Sequence, residues 1–232
     1  GEEAIYIYSQ KYKYENKRIE RVGFIGLMKL ELENRKTVLP HENTLKAPKM
    51  DRLNLMRSVR ANLSPVFMLY EDQSHKISSI LKNYSKKEKP FIDVDIDDVR
   101  HKVWKLTDKN VIGPIEVFMA GKDIFIADGH HRYETAIDYA SEVDKSGLPQ
   151  TYKNNSKYLM AYFCEFDDKS LTIFPSHRLI KNIGTLKKED IIRRLEKFFI
   201  VEKISGAKRL LSRLSGLKDY NAFGMYLGRK EL

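Results

Sequence analysis

The chain opens on two stretches in which apolar and polar residues partly alternate, IYIYSQKYKYE and RVGFIGLMKLELE, separated by the polar ENKRIE. A period of two places alternate side chains on one face of a strand, so the pair predicts a hairpin. Alternation returns in FIDVDIDDVRHKVWKL, with Ile92, Val94 and Ile96 before the Asp97-Asp98 pair and Val99, Val103 and Leu106 after it. This predicts a second hairpin. Short apolar runs in VFMLY, KDIFIA, KYLMAYFCEF, LTIFPSHRLI and the closing NAFGMYLG read as further strands.

Helical spacing governs the segments between them. Leu53, Met56 and Val59 recur every three residues in DRLNLMRSVRAN, with Arg52, Arg57 and Arg60 on the polar sides. SHKISSILKNY and KKEDIIRRLEKFF are amphipathic in the same way, and Tyr133, Ala136, Ile137, Ala140 and Val143 form the stripe of a helix that begins at or near Asp128-Gly129. TDKNVIGPIEVFMA starts as a capped helix, and its Gly113-Pro114 pair predicts a break or restart. The mixture of helices and strands predicts a mixed α/β or α+β fold. The one candidate boundary, near Gly184, divides a core of residues 1–183 from a basic extension of residues 184–232.

Composition narrows the class. The 232 residues are 42% hydrophobic and 32% charged, which suits a globular chain rather than a disordered or disulfide-stapled one. The single cysteine, Cys164, lies in an apolar run and reads as a packing residue in a reducing, cytoplasmic setting. No run approaches the roughly 18 apolar residues of a membrane span, so no membrane association is expected. The net charge is +10, and from Lys181 onward 13 basic residues face 6 acidic ones. That balance favours an anionic partner: a nucleotide, a phosphorylated metabolite or nucleic acid. Strand-like patterns at both ends, with Gly1 in place of an initial methionine, are those expected of a fragment of a longer protein.

The segment KDIFIADGHHRYETA concentrates the chemistry. A strand ends at Ala127, Asp128 and Gly129 make the turn, and His130, His131 and Arg132 occupy the first helical turn, where backbone N–H groups lack intrahelical partners and attract anions. Arg132 is suited to grip two oxygens at once. The alternative is structural: Asp128 as an N-cap, Gly129 as a turn residue, and His130 paired with Glu134 one turn on. Cationic groups in a first turn oppose the helix dipole and cost stability unless an anion answers them, which favours phosphate recognition. A second cluster, LPHENTLKAPKMDRLNLMRSVRANLSP, brings His41, Glu42, Lys46, Lys49, Arg52, Arg57, Arg60 and Asn62, and reads equally as a solvated basic helix after a polar loop. A third, PSHRLI, holds His177 and Arg178 at a surface turn.

Together, LPHENTLKAPKMDRLNLMRSVRANLSPVFMLY, FIADGHHRYETA and FPSHRLI resemble the signatures of the prokaryotic family known as domain of unknown function 1015, over roughly Tyr6 to Leu227. Members of that family are usually longer at both ends. The strand–DGHHR–helix element is also similar, more distantly, to that of the ParB/sulfiredoxin superfamily, which implies a ParB/sulfiredoxin-like core with a mixed sheet. There a polar motif at a helix start holds nucleotide phosphates. Sulfiredoxins carry a cysteine where this chain has His130, so sulfinic-acid reduction is not implied; the free-serine-kinase branch is nearest in character. By that likeness Asp128 is an acid/base or metal-facing carboxylate, and His130, His131 and Arg132 bind phosphate.

The resulting expectation is a phosphoryl-transfer or phosphate-ester enzyme for a small hydroxy-metabolite such as serine or O-phosphoserine, with ATP or ADP and magnesium as cofactors. Asp128, His130 and Glu42 are its candidate catalytic groups. Gly129, His131, Arg132, Lys46, Arg52, Arg57 and Arg60 are candidates for phosphate or nucleotide, and His41, Asn62, His177 and Arg178 for the rest of the substrate. The nucleotide pocket must be of an unusual kind, because no GxxxxGK[ST] loop occurs. Two other readings stay open: a metal-dependent hydrolase drawing ligands from His41, Glu42, Asp128, His130, His131 and His177, and a nucleic-acid-binding module using the C-terminal charge.

Overall fold

The structure, a computed structural model, describes residues 2–14, 16–32, 37–42, 44–166, 171, 177–181, 184, 186–217 and 219–228. The chain divides into two compact units, Gly1–Ile173 and Phe174–Leu232. The first is a mixed α+β unit built on one eight-stranded sheet.

The predicted first hairpin is present as β1 (Ile5–Tyr14) and β2 (Lys17–Lys29), antiparallel with Ile7 opposite Phe24. The second is β5 (Ile92–Ile96) and β6 (Val99–Leu106), and β6 also pairs with β1. Asp97 and Asp98 both adopt left-handed backbone, φ 49° and 61°, as a two-residue hairpin turn between right-twisted strands requires. The other strands are β3 (Val38–Leu39), β4 (Val66–Tyr70), β7 (Ile124–Asp128) and β8 (Tyr158–Glu165), and the sheet order is β3-β7-β4-β8-β2-β1-β6-β5. β4 runs parallel to β8 and antiparallel to β7. The carboxyl end of β7 therefore lies beside the amino end of β4, with Asp128 opposite Phe67.

Register explains the core. Trp104, Ile7, Phe24, Phe163, Met68 and Ile126 are successive partners across six strands, so their side chains share one face of the sheet. Helices α2 (Lys76–Lys87), α3 (Lys109–Met119) and α4 (His130–Lys145) bring Ile77 and Leu81, Ile112 and Ile115, and Tyr133, Ala136 and Ala140 into the same buried cluster. On the opposite face Tyr162 stacks on Phe67 and meets Tyr8 edge-on. Gly23 makes that crossing possible, since a Cβ there would lie 2.6 Å from the Tyr162 ring and 2.2 Å from the Phe163 carbonyl oxygen.

Several sequence expectations need correction. α3 runs unbroken through Gly113 and Pro114. A proline this near a helix start deletes one hydrogen bond, and the neighbouring glycine has no side chain to crowd its ring. A helix that the pattern does not predict, α5 (Gln150–Asn155), precedes β8; at six residues it is too short to show a period. β3, of two residues, was hidden in the polar loop for the same reason. NAFGMYLG forms no strand, because no ladder reaches it among the described residues. Half of the predicted strand LTIFPSHRLI, residues 172–176, lies outside the described residues, and residues 171 and 177–180 form no strand.

In the unit Phe174–Leu232, the expected helix appears as α6 (Lys188–Leu195), and α7 (Ala207–Ser215) follows. Arg213 grips Glu202 through two hydrogen bonds, and Phe199 meets Phe223 edge-on at 5.1 Å. The unit has no buried side chain among its described residues.

Candidate functional site

β7 ends at Asp128, and Gly129 is the N-cap of α4, with φ 99° and ψ 29°. This backbone suits glycine alone. The Arg132 side chain folds back over the turn, and a Cβ on Gly129 would lie 2.9 Å from its guanidinium carbon and push the guanidinium off this position. Asp128 is therefore not the cap. Its Oδ2 accepts from Arg132 Nη2 at 2.5 Å, one helical turn away. Arg132 Nη1 donates to the Pro65 carbonyl oxygen and, at 3.3 Å, to Ser64 Oγ. One guanidinium thus joins the start of α4 to the segment entering β4.

The two imidazoles face the loop before α1 (Lys46–Val59). His130, 3% exposed, accepts at Nε2 from the His41 amide at 3.2 Å. Its Nδ1 then carries the proton and faces Glu42 Oε2 at 3.7 Å, so its carboxylate neighbour is Glu42 rather than Glu134. The His41 ring stands edge-on to it at 4.4 Å. Burial pushes the His130 pKa down, His41 adds to this, and the raising effect of Glu42 is outweighed. His131 Nε2 accepts from the Leu45 amide, the N-cap of α1, at 3.1 Å. Glu134 instead accepts from Thr44 and pairs with Lys49, which also meets Asp138 at 2.8 Å. The DGHHR turn and the HENTLK loop therefore form one interlocked junction, along which α1 lies against α4.

Beside this junction is a pocket of about 50 Å³ lined by Arg52, Leu55, Met56, Ala61, Asn62, Leu63, Ser64, Arg132, Thr135 and Leu159. It has room for a few water molecules. No carboxylate lines it. Arg52 has no ion-pair or hydrogen-bond partner among the described residues, and Arg132 retains donors beyond the three it spends.

The expected site residues thus separate into groups. His41, Glu42, Asp128, Gly129, His130, His131 and Arg132 are brought together at the junction, and Arg52, Asn62 and Arg132 at the pocket. Arg57 is occupied: Glu142 of α4 takes Nε and Nη2 at 2.9 and 2.6 Å, and Asn54 takes Nη1 at 2.8 Å. Arg60, in left-handed backbone at the end of α1, lies over the Tyr152 ring at 5.8 Å. Lys46 is exposed at the first position of α1. His177 and Arg178 are exposed in the unit Phe174–Leu232. The described residues bring together no group of three or more His, Cys, Asp or Glu able to hold a metal ion. Sequence reasoning missed Ser64 and the apolar wall of Leu55, Met56, Leu63 and Leu159; the LSP run after Asn62 was the available signal for Ser64.

No helix is long and apolar enough to cross a membrane among the described residues. No curated protein and no solved structure matches the chain. The family model described as Protein of unknown function (DUF1015) matches residues 1–232, and the chain belongs to that family.

Proposed function

We propose that the unit Gly1–Ile173 is a phosphoryl-transfer or phosphate-ester enzyme for a small hydroxy-metabolite, and that the pocket beside α4 receives the phosphate. One observation carries this reading: two arginines, Arg52 and Arg132, line a single small pocket with Asn62 and Ser64, and the one carboxylate paired with them, Asp128, is held by Arg132 and leaves Arg52 unanswered. An unanswered guanidinium beside a second one at a cavity favours an oxyanion, which phosphoryl transfer must hold and neutralise. Asp128, tied to the same guanidinium, is the acid/base. The acceptor oxygen bonds to phosphorus as its proton passes to Asp128, and the bond from phosphorus to the departing oxygen breaks. His130 and His131 are positioning residues in this scheme, since each spends Nε2 on a loop amide.

The enclosed volume suits a phosphoryl head and leaves the remainder of an ATP or ADP outside it. Bound magnesium would supply further charge neutralisation; it is commonly carried on phosphates with one or two protein carboxylates, and Asp128 and Glu42 are the acidic groups at hand. The metal-hydrolase alternative lacks an assembled ligand set among the described residues.

Melting curves with inorganic phosphate, O-phosphoserine, ADP and ATP, each with and without magnesium, test the reading. A ligand at about 100 times its Kd stabilises by about 2.7 kcal/mol. A rise with at least one phosphate compound that disappears in Arg52→Ala supports the reading, and phosphorus NMR of mixtures with serine would then show any transfer. No rise with any of them overturns it.

A further inference from the structure

We infer that the substrate carries a short alkyl body beside its phosphate: an aliphatic monophosphate ester rather than a zwitterionic amino-acid phosphate. This rests on the phosphate reading above and narrows it. The pocket's polar groups are Arg52, Asn62, Ser64, Arg132 and Thr135; its other half is hydrocarbon. Leu159 is 2% exposed, whereas Leu55 and Leu63 are 45% and 61% exposed. Single exposed leucines are ordinary, but two sharing one pocket with a pair of arginines form an apolar wall next to an anion site. A ligand that placed only phosphate there would leave that wall in water.

The charge pattern points the same way. An ammonium group on the ligand would meet Arg52 and Arg132, while the one carboxylate beside them, Asp128, is already taken by Arg132, an unfavourable balance at short range. A methylene chain meets Leu55, Met56 and Leu63 and gains from leaving water. The chemistry selects a phosphorylated aliphatic alcohol over phosphoserine.

The test is a series on the full chain: calorimetric titration with inorganic phosphate and with methyl, ethyl, propyl and butyl phosphate, O-phosphoserine, and the variant Leu63→Ser. Full burial of each added methylene is worth about fourfold in affinity, so a two- to fourfold gain per carbon is expected until the wall is covered. Leu63→Ser, at an exposed side chain, should flatten the slope with chain length, read as the ratio of butyl to methyl phosphate affinity against the same ratio in the parent. Equal affinity for methyl and butyl phosphate, or tighter binding of O-phosphoserine than of propyl phosphate, overturns the alkyl assignment while leaving the phosphate site standing. If no phosphate compound binds, the functional reading falls and takes this inference with it.

Discussion

The parallel strands β4 and β8 end in two very different polar settings. At their carboxyl ends, Glu165 is 2% exposed and is held by His75 Nδ1, while Asp72, 1% exposed, accepts from Ser74 Oγ at 2.7 Å and the Ile77 amide at 2.8 Å. Each buried acceptor is answered from within the chain. At their amino ends, Arg52 stands without a partner among the described residues, and Arg132 shares a pocket with it. Ligands in open α/β sheets usually sit beyond the carboxyl ends of parallel strands. Here the candidate site lies at the other end, because β7 runs against β4 and delivers the start of α4 there. A saturated polar cluster holds structure together, whereas an unsaturated one around a cavity is open to a ligand.

The largest test of the contrast falls on the closed end. His75→Ala would leave the Glu165 carboxylate buried without its imidazole, and the desolvated charge should cost about 2–3 kcal/mol. Urea melts would show this as a lower midpoint at unchanged slope. A variant as stable as the parent would break the claim that this end is structural. Asp72→Ala comes next: it removes the acceptor that caps the first turn of α2, for about 1–2 kcal/mol. Burial raises the Asp72 pKa, but the hydrogen bonds from Ser74 and the amides of Ser74, Lys76 and Ile77 outweigh it and leave the pKa below its ordinary 3.8. A lowered carboxylate pKa gives stability that is present above pH 3.8 and lost as pH falls through the folded value, and Asp72→Ala should lack that acid-side loss.

The junction titrates higher. Because His130 folds in its neutral form with a lowered pKa, its contribution is present above its ordinary 6.5 and is lost as pH falls through the lower folded value. Below that value a proton on Nε2 displaces the His41 amide and frees the loop. The protection factor of the His41 amide, its exchange rate compared with that of an unstructured chain at the same pH, should therefore fall between neutral and mildly acidic pH, while that of Ile77 holds. An equal loss of protection at both ends would erase the distinction.

What the sequence disclosed follows from range. The two hairpins, α1, α2, α4 and the placement of DGHHR at a strand-to-helix turn depend on local periodicity and were legible. The junction was not, since His130 meets a residue 89 positions away and His131 one 86 away. Arg57 looked as available as Arg52 until Glu142, 85 residues on, proved to occupy it. DQSHK carried a helix-start signal in Asp72 and Ser74, but nothing local joined His75 to Glu165. The pocket likewise combines α1, the segment before β4, α4 and β8, so no single motif could contain it.

The smallest expected effect on stability is the sharpest test of the open end. Arg52 is exposed and has no partner among the described residues, so Arg52→Ala should shift stability by no more than about 0.5 kcal/mol in either direction. Arg132→Ala cannot serve the same purpose, because it also cuts the ties to Pro65, Ser64 and Asp128. If Arg52→Ala melts as the parent does and yet loses the phosphate-induced rise, the side chain is kept for a ligand rather than for the fold. If instead it destabilises by 2 kcal/mol or more, roughly the scale expected of His75→Ala, then Arg52 belongs to the scaffold, and the two ends of β4 and β8 differ in composition but not in purpose.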